Sequence, residues 1–228
     1  MASYNFRPLG SNIFLLEFEN RYDLAMHFIR VQEYHESPNE EFKGKKFNMW
    51  DYVEWYSKEH GNKFTYPVDW TGFNIPGHAM REVYGNRTAP LPGHNKYDEF
   101  MRGLFEFINR QVQGSEFYLI GSKVGDSETL SHEIAHGLWY TSLQYMNAQR
   151  KNMENLIIAD CTLHNRLYHN IEDMGYAESS VVDEIQAYMS TGFVTGVTKG
   201  TNKTKLNKWA KIFRKTYEEY AGDICQIE

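Results

Sequence analysis

The chain reads as an α+β protein, mainly helical, with a small mixed sheet. Three observations carry that reading. Apolar residues recur at three- and four-residue spacing along several long stretches, the period of a helix with one buried face. Only two short runs, residues 12–18 and 116–120, have the β-branched and aromatic composition of strands. From Asn95 onward the order is helix, strand, helix and later helix, with turn signals between them.

Taken in order, residues 12–18 read as a strand. Residues 22–34 follow as a helix, with Leu24, Phe28 and Val31 on one side. The polar stretch 36–46 is a loop. Asn48 caps a helix reaching about His60, and Asp51 completes a capping box. Residues 64–92 hold four of the six prolines, several glycines, Trp70 and Phe73, so they read as an irregular region. Asn95 caps a helix in which Phe100, Leu104, Ile108 and Val112 share a face, and Gly114 ends it. The strand at 116–120 leads into a turn at 121–125. Ser127 is an N-cap for the next helix, with Asp126 and Glu128 suited to the positive end of its dipole. Residues 156–171 form a helix whose apolar face carries Leu156, Ile157, Leu163, Leu167 and Ile171. Residues 181–189 form another, and residues 203–220 a basic one whose apolar face carries Leu206, Trp209, Phe213 and Tyr217. The stretch 190–201 fails the spacing of a phosphate loop, because Lys199 precedes Gly200.

The helix after Ser127 carries the chemistry. It contains His132-Glu133-Ile134-Ala135-His136, an H-E-x-x-H motif, while Leu130, Ile134 and Leu138 bury one face. Four residues are a little over one turn, so His132 and His136 project together and can bind one Zn²⁺. Glu133, one step round, can take a proton from water at that metal. Ala135 and Gly137 are small and let other backbone approach.

Zinc needs a third protein ligand. The three-histidine pattern fails, since Trp139 and Ser142 occupy the places where it requires Gly and His. A Glu on a later helix is the other solution. At 100° per residue Glu184 falls beside Val181 and Tyr188 on the apolar face, whereas Asp183 points to the far side. A carboxylate on an apolar face is costly unless it is paired or bound to metal, so Glu184 is a ligand or a buried acid meeting Tyr188 or an Arg. Asp160 and His164 compete from the helix at 156–171. They share a face four residues apart, as a pair behind a ligand histidine, an alternative ligand, or a buried pair bonded to each other. Tyr188, Tyr176 and His169 are candidate donors to an oxyanion.

These residues resemble the zincin superfamily of zinc metallopeptidases, on His132-Glu133-x-x-His136 with Asp183-Glu184 downstream. They look like its gluzincin branch, in which a downstream Glu completes the site. The resemblance implies a zincin-like core with the sheet packed on the H-E-x-x-H helix, and Zn²⁺ as cofactor. His132, His136 and Glu184 would be its ligands, and Glu133 the general base. Residues 95–228 would form that catalytic core with a C-terminal capping helix, and residues 1–94 an α+β layer walling the cleft. The family's strand before the metal helix often lies at the sheet edge, where residues 118–122 could pair with an extended substrate; the alternative is an internal strand with no free edge. Its supporting Asp, four residues after the Glu ligand, is replaced here by Tyr188.

Composition bounds the rest. With 228 residues and a hydrophobic fraction of 41%, the chain can bury a substantial core. A net charge of -6 argues against nucleic acid as partner, and the basic face of the last helix reads as solvated. Cys161 and Cys225 lie far apart in no ligand spacing, which fits a reducing compartment. The apolar run Ile13-Phe14-Leu15-Leu16 is too short for a signal peptide, and no segment is long enough to span a membrane. The expectation is a cytoplasmic zinc metallopeptidase acting on a peptide or protein. The rival readings are an inactive zincin-like module binding peptides through aromatics near Trp70, and a nucleic-acid-associated protein using the basic helix.

Overall fold

A computed structural model describes residues 3–222 except 71, 87, 89, 90 and 177, and the side chains of 127 and 128 are outside the description. The fold is α+β and mainly helical, with one four-stranded mixed sheet among the described residues. Packing divides the chain into two compact units, Met1–Thr129 and Leu130–Glu228.

The first unit contains the whole sheet. Strands β1 (Tyr4–Gly10), β2 (Ile13–Phe18), β3 (Gly72–Pro76) and β4 (Tyr118–Lys123) lie in the order β1-β2-β4-β3. β2 and β4 run parallel, pairing Ile13 with Tyr118 through Phe18 with Lys123, and β3 runs antiparallel to β4. β4 is therefore internal. Both its edges are used, so of the two readings of residues 118–122 the internal strand holds and substrate addition does not: their backbone groups are already paired with β2 and β3. β4 also extends past Ile120 into the expected turn, because Gly121 without a Cβ lets the Phe28 ring lie against the strand.

Around the sheet pack α1 (Arg21–Glu36), α2 (Met49–Glu59), the short α3 (Tyr66–Asp69), α4 (Gly77–Tyr84) and α5 (Lys96–Gln111). Asn48 caps α2 through the Trp50 N–H, without the reciprocal bond expected of Asp51. The capping box is at α5, where Asn95 accepts from Asp98 N–H and Asp98 accepts from Asn95 N–H at 3.0 Å. Asp98 is also buried against Arg30, with bonds of 2.6 and 2.9 Å to its guanidinium. Tyr52, Tyr56, Tyr66 and Phe73 are core residues, whereas Trp50 and Trp70 are partly exposed.

The second unit is helical. α6 (Ser127–Thr141) enters it. α7 (Leu143–Asp173), α8 (Val181–Thr191), the one-turn α9 (Thr195–Thr198) and α10 (Lys203–Ala221) then enclose an apolar core of Leu156, Leu167, Ile185, Met189, Leu206 and Phe213, among others. Asp126 precedes α6 and accepts from the Thr129 N–H at 3.3 Å, so the capping bond comes from that residue; the N-cap expected of Ser127 and the dipole role of Glu128 lie outside the described side chains. No helix among the described residues is long and apolar enough to cross a membrane.

Candidate metal centre

α6 and α8 bring His132, His136 and Glu184 together. Each offers one ligand atom within 4.8 Å of the others. Nε2 of His132 lies 3.1 Å from Nε2 of His136. Oε2 of Glu184 is 3.6 Å from the first and Oε1 is 3.5 Å from the second. A tetrahedral zinc with bonds near 2.0–2.1 Å places its ligand atoms about 3.3 Å apart; the two histidine nitrogens have that spacing, and a Glu184 oxygen lies within 4.8 Å of both.

The protonation chemistry agrees. Nδ1 of His136 donates to Oδ2 of Asp183 at 3.0 Å. In the neutral ring Nε2 then carries a lone pair, directed toward the His132 nitrogen. Glu184 is buried, and its Oε2 accepts no hydrogen bond among the described residues. A buried carboxylate with a lone-pair nitrogen 3.5 Å from its other oxygen is unfavourable without a cation or proton between them. Burial alone would push the His136 pKa down, but Asp183, Glu184 and Glu133 outweigh it and raise the pKa to about 10. The same field that favours a proton there favours a metal ion, which would displace that proton.

The helical angle of Asp183 predicts the far side of α8. The structure corrects this: Asp183 is the hydrogen-bond partner of His136. Glu184 and Asp183 lie 100° apart on α8, and they address opposite edges of one imidazole. The longer side chain reaches Nε2 and the shorter one Nδ1. Asp183, and not Tyr188, is thus the residue of α8 bonded to His136 Nδ1.

Glu133 is buried on α6, close enough to act electrostatically on His136, Tyr176 and Tyr188. The Tyr188 ring lies 4.5 Å from the His132 ring, and its hydroxyl is 3.1 Å from that of Tyr176. Burial, with Glu184 and Glu133 nearby, raises the pKa of both phenols, so both remain protonated donors.

Comparison of the chain with protein-family models, curated proteins and solved structures gave no match.

Two further candidates are placed elsewhere. Asp160 breaks α7, with φ -154° and ψ 65°, and its Oδ1 accepts from the Leu163 N–H at 3.3 Å. It is the N-cap of the following helical stretch, and its Oδ2 meets Lys205 at 2.8 Å. The expected pairing with His164 fails because the break ends the i,i+4 register on which it rested. His164 instead lies beside Asn165 at 3.2 Å. His169 is exposed and pairs with Glu172 at 3.0 Å, so it is a surface residue rather than an oxyanion donor.

Proposed function

We propose that the chain is a zinc-dependent metallopeptidase of the gluzincin-like kind, cleaving peptide bonds in a peptide or protein substrate. One observation carries the reading: two imidazole nitrogens and a buried carboxylate, one oxygen of which has no hydrogen-bond partner among the described residues, converge within 4.8 Å, with a buried glutamate on the same turn of helix.

His132, His136 and Glu184 would hold the ion. When bound, Zn²⁺ supplies a Lewis acid that polarises the scissile carbonyl and acidifies water. Glu133 accepts a proton on its carboxylate and returns it to the departing amine. Asp183 keeps the Nδ1 proton on His136, so that Nε2 stays an electron-pair donor. The Tyr188 and Tyr176 hydroxyls are protonated and bonded to each other, so one of them donates within the pair and the other has its hydrogen for an oxygen gaining negative charge.

The test is hydrolysis of a diverse peptide pool by zinc-loaded protein, read by mass spectrometry. Cleavage is expected to stop on chelation and return with Zn²⁺. Glu133→Gln is expected to retain zinc and lose at least about 100-fold in rate. Zinc-loaded wild type that leaves the whole pool intact sinks the peptidase reading.

A further inference from the structure

A buried line of hydrogen bonds leads away from His136 into the interior of the helical unit. Asp183 uses Oδ2 for His136, and its Oδ1 accepts from Nε2 of Gln186 at 2.8 Å. The same amide nitrogen lies 3.4 Å from the carbonyl of Ala135, the residue just before His136. The Gln186 amide oxygen accepts from the Tyr145 hydroxyl at 2.7 Å. Nε2 of Gln149 lies 3.1 Å from that hydroxyl oxygen, from Ser190 Oγ and from the Phe213 carbonyl, so its two hydrogens are shared among three acceptors. Tyr145, Gln149 and Gln186 are all fully buried.

Burying these amides is tolerable only because they are satisfied. The directions of the bonds matter more than their number. A tyrosine hydroxyl that donates to Gln186 fixes the amide's oxygen on that side. Its NH₂ group therefore faces Asp183 and Ala135. Both donor hydrogens of Gln186 are thereby spent on groups that set His136: the carboxylate bonded to its ring, and the backbone of its own helix.

We propose that Gln186 is a positioning residue for His136, locked by Tyr145 so that Asp183 holds the ring with Nε2 aimed at the metal. The proposal rests on the metal-centre reading above. A polar cluster that merely stabilises the unit would support folding without setting metal affinity. The two roles separate experimentally.

The test uses Co²⁺ as the probe, titrated into the full metal-free chain and followed by its visible absorption, beside the urea midpoint of each metal-free protein. Gln186→Met keeps the side chain's length and removes its donors. Tyr145→Phe removes one oxygen. Wild type is expected to bind one Co²⁺. Gln186→Met is expected to bind it on the order of 10–100-fold more weakly with an altered spectrum, and Tyr145→Phe to shift both in the same direction by less. Folded variants whose Co²⁺ affinity and spectrum match wild type overturn the positioning role and leave the metal centre standing, even if their urea midpoints fall. Wild type that binds no Co²⁺ overturns both. Should Gln186→Met fail to fold, Tyr145→Phe decides by the same readings.

Discussion

His136 donates through Nδ1 to Asp183 at 3.0 Å, and Asp183 immediately precedes the carboxylate that faces the other edge of the same ring. One helical step on α8 thus supplies both acids that meet the His136 ring. Removing Asp183 leaves His132, His136 and Glu184, the ligands proposed above, in place. Asp183→Ala is therefore expected to weaken zinc binding by on the order of 10–100-fold, measured by competition with a chelating dye. Unchanged affinity contradicts the assignment.

Glu33 sits in the core of the first unit, where the Tyr66 hydroxyl donates to its Oε1 at 2.7 Å. Burial pushes its pKa up, and hydroxyl bonds from Tyr66, Tyr52 and Ser37 offset this only in part. The folded pKa lies above the unfolded one. Glu33 therefore contributes stability that is complete below the ordinary carboxylate range and is lost as pH rises through the folded value. Urea midpoints at pH about 4 and about 8 should show Glu33→Gln gaining on wild type at the higher pH. A gap between the two proteins that does not change with pH rules this out.

Gly121 lies in β4 where an added Cβ would come within 2.5 Å of the Phe28 ring. Phe28 is fully buried and stacks on Phe73 with centroids 5.2 Å apart, so the ring has little room to yield. Gly121→Ala is expected to destabilise the first unit by about 1–3 kcal/mol, read from chemical denaturation. Wild-type stability in that variant is the opposing result.

Arg30 and Asp98 are both almost fully buried and joined by two charge-assisted bonds. Arg30 further donates to the carbonyls of Phe47 and Pro92. Asp98→Ala strands a buried guanidinium and removes the acid of the α5 capping box. Its cost is expected at about 3–5 kcal/mol, well above that of a surface ion pair. A loss near that of a surface pair, about 1 kcal/mol or less, refutes the account of this core.

Much of the fold is legible in the residues. α1, α5 and α10 carry apolar positions at helical spacing behind an Asn at each N-cap, and the structure keeps all three. β1 left no such signal: it is an edge strand with Pro8 inside and mostly exposed side chains. β3 and α4 are hidden among glycines and prolines, where Pro76 ends the strand and precedes the helix. At the site, H-E-x-x-H and the apolar surroundings of Glu184 pointed to the three side chains that meet. The bond of Asp183 to His136 is not legible, because a helical angle gives the direction of Cβ and not where a neighbouring ring approaches. The break at Asp160 is not legible either, because an N-cap in mid-run looks, by periodicity alone, like one more residue on a continuous face.

The most direct measurement is the zinc content and affinity of wild type beside Glu184→Ala, each dialysed after zinc loading and assayed by elemental analysis. One zinc per wild-type chain, with most of it lost from a folded Glu184→Ala, is the expected outcome. Wild type that holds no zinc, or Glu184→Ala that holds it as tightly as wild type, contradicts a metal centre formed by His132, His136 and Glu184.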